Sequence, residues 1–79
     1  MFRNCNLEEV DFTDAILTSS LFDNCNLKNS IFDQTNLEKV DFRTSFNIKL
    51  KPDINKIKGA KFSKANVIGL LDDYKITVE

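Results

Sequence analysis

Residues 2–42 read FRNCNLEEVDFTDAILTSSLFDNCNLKNSIFDQTNLEKVDF, and in this stretch a large apolar residue recurs at every fifth position. The positions are Phe2, Leu7, Phe12, Leu17, Phe22, Leu27, Phe32, Leu37 and Phe42. A period of five fits neither the 3.6-residue repeat of an α-helix nor the two-residue repeat of a strand. The chain must therefore turn at every unit, so that each five-residue unit forms one side of a coil.

A second, longer period indicates how many units make one coil. The letters NCNL at residues 4–7 return at residues 24–27, and Phe2 is followed by Phe22 and Phe42 at the same spacing. If four units close one coil, residues 20 apart stack on neighbouring coils at the strand spacing of about 4.8 Å. The sequence therefore predicts an all-β solenoid with aromatic and leucine ladders along its axis. The predicted ladder residues are the nine residues above and Phe62.

The residues around each apolar centre resemble the pentapeptide repeat family, whose unit is a small residue, then Asn or Asp, then Leu or Phe, then two variable positions. The best matches are Cys5-Asn6-Leu7, Val10-Asp11-Phe12, Cys25-Asn26-Leu27, Thr35-Asn36-Leu37 and Val40-Asp41-Phe42. The resemblance covers residues 2–45 and implies a right-handed quadrilateral β-helix. Ile16, Leu21 and Ile31 stand where Asn or Asp is usual, so we expect these apolar side chains to face outward.

The five-residue grid is interrupted after Phe42 and then resumes. The next two centres would be Asn47 and Pro52, which are not core residues, whereas Ile57 and Phe62 return to the grid. We expect Phe46, Ile48, Leu50 and Ile54 to cover the core in the interruption, and Pro52 to mark a bend. The predicted β-helix spans residues 1–65, with a regular part (2–45), an irregular part (46–58) and resumed repeats (59–65).

Residues 66–79 have a different pattern from the repeats. Val67, Leu70, Leu71 and Tyr74 lie at i, i+3, i+4 and i+7, which predicts a short α-helix with Asn66 as its N-cap. The last residues alternate apolar and polar side chains, as a closing strand would. We therefore predict a C-terminal helix and strand that cover the end of the solenoid.

This C-terminal end resembles the corresponding module of the Qnr-like quinolone-resistance pentapeptide proteins, which makes a two-fold dimer. The resemblance implies a homodimer interface at Leu70, Leu71, Tyr74, Ile76 and Val78. The alternative is that the helix only covers its own coil. A single core in a chain of 79 residues rarely supplies more than about 5 kcal/mol, which favours the dimer.

The composition argues against an enzyme. The chain has no His, only Cys5 and Cys25 as cysteines, and no Gly-rich phosphate loop or cluster with metal-ligand spacing. We therefore expect no catalytic residue, cofactor, metal or small-molecule substrate. No apolar run approaches the roughly 18 residues of a membrane span, and the first residues do not form a secretory signal. We accordingly expect a cytoplasmic protein, without membrane contact, whose thiols stay reduced.

Charge is distributed unevenly along the chain, although the net charge is only −1. Through Ser45 there are eight acids and four bases, whereas from Phe46 onward there are four acids and seven lysines. The resemblance to the quinolone-resistance proteins implies an acidic, rod-like surface that imitates DNA and binds a bacterial type II topoisomerase such as gyrase. The residues that would carry this surface here are Asp11, Asp14, Asp23 and Asp33.

Two classes of function are therefore open at this stage. The first is a non-enzymatic protein-interaction module, with topoisomerase binding by DNA mimicry as its most concrete form and no direct contact with nucleic acid. The second is a structural or self-assembling scaffold that uses the apolar spots Ile16, Leu21 and Ile31, with the acids as a solvated polar surface. A weaker alternative is that the lysines meet nucleic acid or an acidic partner; they are Lys49, Lys51, Lys56, Lys58, Lys61 and Lys64.

Overall fold

A computed structural model describes residues 1–71, and the chain winds there into coils that stack along one axis. Strands β1 (Phe2–Arg3) and β2 (Phe22–Asp23) pair in parallel, with Phe2 opposite Phe22. The other contacts between coils are single parallel bridges, again between residues 20 apart. They join Asn6 to Asn26, Asp11 to Ile31, Ile16 to Asn36, Leu21 to Asp41, Asn26 to Phe46, Asn36 to Lys56 and Asp41 to Lys61. The 20-residue period of the sequence is therefore the period of the coils.

Each coil consists of four five-residue segments, here called sides 1 to 4, and each side is centred on one position of the apolar grid. Coil 1 covers residues 1–19, coil 2 residues 20–39 and coil 3 residues 40–59, and a further coil begins at residue 60. Side 1 comprises residues 1–4, 20–24, 40–44 and 60–64; side 2 comprises 5–9, 25–29 and 45–49; side 3 comprises 10–14, 30–34 and 50–54; side 4 comprises 15–19, 35–39 and 55–59.

The corners between sides explain why the period is five. The residue two places after each centre in coils 1 and 2 has φ between 52° and 63°, the left-handed conformation that reverses the chain. At most corners the amide that follows donates back to the carbonyl of the centre, as Ala15 N does to Phe12 O at 3.0 Å. Polar residues occupy all of these positions in coils 1 and 2, and Gly59, with φ of 75°, occupies the corresponding corner on side 4 of coil 3.

The core lies between the sides as ladders of stacked side chains. Phe22 and its neighbour Phe42 are fully buried, with ring centroids 5.0 Å apart, and Phe12 and Phe32 stack at 5.1 Å. Leu27 and Leu37 are also buried in coil 2. The corresponding centres of coil 1 are only half-buried, because no coil within the described residues lies above them. Coil 2 is therefore the part of the molecule with the most complete core.

Residues 47–55 form no bridge to coil 2 and fill coil 3 irregularly. Ile48 and Leu50 are buried, whereas Phe46 and Ile54, also expected to cover the core, are 45% and 38% exposed. A single 3₁₀ turn, Pro52–Ile54, forms the bend at the proline. Regular pairing between coils returns at Lys56.

The prediction of an α-helix capped by Asn66 is wrong within the described residues. Val67–Leu70 form one 3₁₀ turn, and Asn66 makes no side-chain cap. Its side chain instead donates to the carbonyls of Phe42 and Ser45, at 2.7 and 3.1 Å, so it joins the C-terminal turn to the first corner of coil 3. The predicted closing strand and Tyr74, Ile76 and Val78 lie outside the described residues.

Candidate protein-binding surface

Side 3 carries a group of carboxylates that face outward. Asp11 and Asp14 lie on coil 1, Asp33 lies on coil 2 and Asp53 lies on coil 3. Asp14 N donates to Asp33 O at 3.0 Å, so these two residues are direct neighbours across the coils. Asp33 is half-buried and the other three are exposed. Side 3 therefore presents four acids, of which Asp53 was not among the predicted site residues although it stands 20 residues after Asp33.

Asp23 lies on side 1, two sides away from the other predicted acids. Its carboxylate accepts from Arg3 Nε at 3.2 Å and from Thr44 Oγ1 at 2.8 Å. Arg3 is one coil above Asp23 on the same side, so this pair follows from the 20-residue stacking. The structure thus brings Asp11, Asp14 and Asp33 together but leaves Asp23 in a neutralised pair elsewhere.

Hydrogen bonds within side 3 favour the charged form of Asp11. Thr13 donates to the Asp11 carboxylate from its hydroxyl at 2.5 Å and from its backbone N at 2.9 Å. The pKa of Asp11 lies below its ordinary value, mainly because of the hydrogen bond from the Thr13 hydroxyl and, second, because of the one from the Thr13 backbone N. Asp14, Asp33 and Asp53 form no ion pair with any residue of the described part. Lys49 and Lys51 line a groove beside Asp33, so this side presents four carboxylates together with nearby lysines.

Two isoleucines interrupt the acids of side 3. Ile31 is 50% exposed and Ile54 is 38% exposed, and both line a shallow groove of about 360 Å³ beside Asp33. Ile16, which is 79% exposed, lies on side 4, and the half-buried Leu21 lies on side 1. The three outward apolar residues expected from the sequence therefore lie on three different sides rather than in one patch.

The C-terminal turn has a second apolar surface. Leu70 is buried in the protein's own core, and Leu71 is half-buried. Around a groove of about 580 Å³ on side 2, Phe46 and Ile68 are about half exposed. This groove could not be predicted from the sequence, because residues 46–49 break the five-residue period.

The described residues offer no evident reactive group. Cys5 and Cys25 are free thiols one coil apart, and burial is the main cause that raises the pKa of the Cys25 thiol. Residues 1–71 contain no group of three or more His, Cys, Asp or Glu side chains that could hold a metal ion. The same part of the chain has no helix with the length and apolarity needed to cross a bilayer.

Comparison with known proteins gives three findings. The pattern of the pentapeptide repeats matches residues 5–43 in eight copies. No match was found among curated protein sequences. The solved structure of QnrB1, a plasmid-mediated fluoroquinolone resistance protein, in a trypsin-treated form, superposes with a TM-score of 0.50 over 99% of this chain, at 15% sequence identity.

The similarity to QnrB1 concerns the fold, because the identity is only 15%. The chain spans 45% of the QnrB1 chain that it matches. Together with the repeats, the similarity implies that the coils form a right-handed β-helix. Eight repeat copies within residues 5–43 and coils that pair residues 20 apart identify this chain as a member of the pentapeptide repeat family.

Proposed function

We propose that the chain is a non-enzymatic protein-interaction module, and that side 3 binds the DNA-binding surface of a type II topoisomerase by imitating DNA. The observation that carries this proposal is the set of carboxylates on side 3, which outnumber its one lysine, Lys51: Asp11, Asp14, Asp33 and Asp53. A protein groove that accommodates DNA holds rows of Lys and Arg side chains for the phosphates. Rows of fixed carboxylates are attracted to the same groove.

The apolar residues of side 3 add to this surface. Ile31 and Ile54 expose about half and a third of their side chains next to Asp33. Burial of apolar area supplies affinity that does not depend on salt, whereas the carboxylates supply attraction that salt screens. A partner with lysines or arginines around an apolar depression would therefore fit side 3 better than a purely cationic surface would.

The test is a gyrase supercoiling assay in the presence of a quinolone, with the chain titrated in. We expect the unmodified chain to restore supercoiling. The variant Asp11→Asn/Asp14→Asn/Asp33→Asn should need about tenfold more protein for the same recovery, because three charge pairs with the topoisomerase, at about 0.5 kcal/mol each, would be lost. The matched control is Glu8→Gln/Glu9→Gln/Glu38→Gln, which removes the same charge from sides 2 and 4 and should act like the unmodified chain.

Two outcomes would contradict the proposal. Equal losses in the two triple variants would mean that overall charge, not side 3, governs binding. No recovery of supercoiling at micromolar protein would favour the scaffold alternative. That alternative has its own observation, since the core residues Phe2, Leu7, Phe12 and Leu17 of coil 1 are only half-buried. It predicts growth with protein concentration that the aspartate changes do not affect.

We also propose that the C-terminal module makes a homodimer. Within the described residues, Leu71 is half-buried and Ile68 is 51% exposed, so apolar area remains open for a second copy. Leu70 contributes to the dimer only indirectly, because it is buried in its own protomer. Residues 72–79, which include Tyr74, Ile76 and Val78, would supply the rest of the interface.

Leu71→Glu is the test of the dimer. A charge at an apolar interface must lose its hydration, so the molar mass from light scattering should fall from that of a dimer to that of a monomer. Far-UV circular dichroism should show that the coils remain folded. Ile16→Glu, at a 79% exposed position on side 4, is the control that should stay dimeric. A folded dimer for Leu71→Glu would disprove this interface.

A further inference from the structure

The coils gather lysines that are spread over the sequence onto two adjoining sides. Lys56 and Lys58 lie on side 4 of coil 3, and Lys61 follows them on side 1 of the next coil. Backbone hydrogen bonds fix their places: Leu37 N donates to Lys56 O at 2.7 Å, and Lys61 N donates to Val40 O at 2.8 Å. With the neighbours Lys39 and Lys64 they form what is called here the lysine surface: Lys39, Lys56, Lys58, Lys61 and Lys64.

Lys39 belongs to this surface through a close approach between coils 2 and 3. Its backbone N donates to Lys58 O at 3.0 Å. A Cβ at Gly59 would lie 3.2 Å from Lys39 Cγ, so the stem of Lys39 passes directly over the glycine. The absence of a side chain at Gly59 thus allows a lysine of coil 2 to lie against the lysines of coil 3.

Few acids lie beside the lysine surface, although the charge of Lys61 is among the causes that lower the pKa of Asp41, after the hydrogen bonds from Arg43. All five lysines are exposed, and none forms an ion pair within residues 1–71. Asp41 is bridged to Lys61 across the coils, but its carboxylate is already paired with Arg43. Arg43 Nε lies 3.1 Å from Asp41 Oδ1, and Arg43 Nη2 lies 2.9 Å from Asp41 Oδ2. Glu38 is the one acid of coils 2 and 3 on these sides without an arginine partner, so the surface as a whole is cationic.

We propose that the lysine surface binds the phosphate backbone of double-stranded DNA, independently of base sequence. Among the exposed large apolar residues, Ile16 and Ile54 line one groove with Lys56 at the edge of this surface, whereas Phe46, Val67 and Ile68 lie elsewhere. Charge is therefore the main feature that a partner meets at Lys39, Lys58, Lys61 and Lys64. A row of ammonium groups on a rigid β-coil suits a polyanion with regularly spaced charges, and duplex DNA is such a polyanion.

The proposal goes beyond topoisomerase binding and does not rest on it, because the carboxylates of that site are on side 3. It also departs from the expectation of no direct contact with nucleic acid, which relied on the net charge of −1. The net charge is a sum over the whole chain, whereas the fold distributes the acids and the lysines over different sides. Lys61 and Lys64 on side 1 are two sides away from the acids of side 3, whereas Lys39, Lys56 and Lys58 lie on the adjoining side 4, and Lys56 lines one groove with Asp14. DNA bound along side 1 would therefore keep the greatest distance from those acids.

The test is fluorescence anisotropy with the full chain and a labelled duplex of about 20 base pairs, over a range of salt from about 25 to 150 mM. If three to five phosphates are contacted, log K should fall with log salt with a slope of about −3 to −4.5. We expect Lys56→Gln/Lys58→Gln to bind at least about tenfold more weakly at the lowest salt and to reduce the slope by about 2.

Arg3→Gln/Lys28→Gln is the matched control, because it removes the same charge from sides 1 and 2 of coils 1 and 2. Its affinity and slope should stay close to those of the unmodified chain, and circular dichroism should be the same for all three proteins. Equal weakening in both variants would overturn the proposal, because overall charge would then suffice. It would also be overturned by the absence of any rise in anisotropy, or by binding to phosphatidylserine vesicles without binding to the duplex.

Discussion

Phe22→Ala should lower the free energy of unfolding by about 4 kcal/mol and leave most of the chain unfolded at room temperature. Phe22 is fully buried at the centre of coil 2. Its ring stacks between Phe2, at 4.7 Å, and Phe42, at 5.0 Å, and meets the edge of Phe12 at 6.0 Å. Removing the ring leaves a cavity that backbone hydrogen bonds on both sides prevent from collapsing, so little of the loss is recovered.

Phe2→Ala is the matched control for this prediction. Phe2 occupies the same ladder one coil above, but it is half-buried and stacks on only one side within the described residues. The expected cost is about 1 to 2 kcal/mol, because less apolar area is lost and water can enter the gap. Urea unfolding followed by circular dichroism measures both variants. Equal costs would show that something covers coil 1 in solution, and would favour self-assembly through that coil.

The sequence predicted the regular coils well because their geometry is fixed locally. A corner every five residues and a bridge every 20 residues leave only one register for residues 2–45. The same 20-residue spacing explains why Asp23 does not join the acidic surface. Arg3, Asp23 and Arg43 stand 20 apart and therefore share side 1, where Arg3 pairs with Asp23. Asp53 stands 20 residues after Asp33, but Gln34 N donates to Ile54 O at 3.0 Å, so the irregular part shifts Asp53 by one residue from the position that Asp33 has in coil 2.

The sequence predicted the end of the solenoid poorly because no period governs it. Apolar spacing from Val67 onward is compatible with an α-helix, but the observed turn is decided by backbone atoms that approach from coil 3. Asn66 is similarly used for tertiary contacts, since its side-chain amide pairs with carbonyls of Phe42 and Ser45. Such contacts between distant segments leave no repeating pattern in the chain. The same holds for the exposure of Phe46, whose position follows a break in the grid.

Gly69→Ala should cost about 3 kcal/mol, although glycine to alanine usually stabilises a helical turn. A Cβ at Gly69 would lie 1.9 Å from the carbonyl oxygen of Ile48 and 2.9 Å from its carbonyl carbon. Both are backbone atoms of coil 3, so the clash can be relieved only by moving the turn Val67–Leu70 away. That movement would withdraw Leu70 from the core, where it is 7% exposed.

Gly59→Ala is the control that separates this close approach from the conformational preference of glycine. Gly59 has φ of 75°, which alanine adopts at a cost of about 1 kcal/mol, and its Cβ would meet only the flexible Lys39 side chain, at 3.2 Å. Urea unfolding should therefore rank Gly69→Ala as clearly the more harmful change. Hydrogen exchange at the amide of Gly69, which donates to Asn66 O at 3.1 Å, should accelerate in a Gly69→Ala chain kept folded at low temperature. If Gly59→Ala proves as costly as Gly69→Ala, the turn does not lie against Ile48 in solution, and Leu70 is free to act at the dimer interface instead.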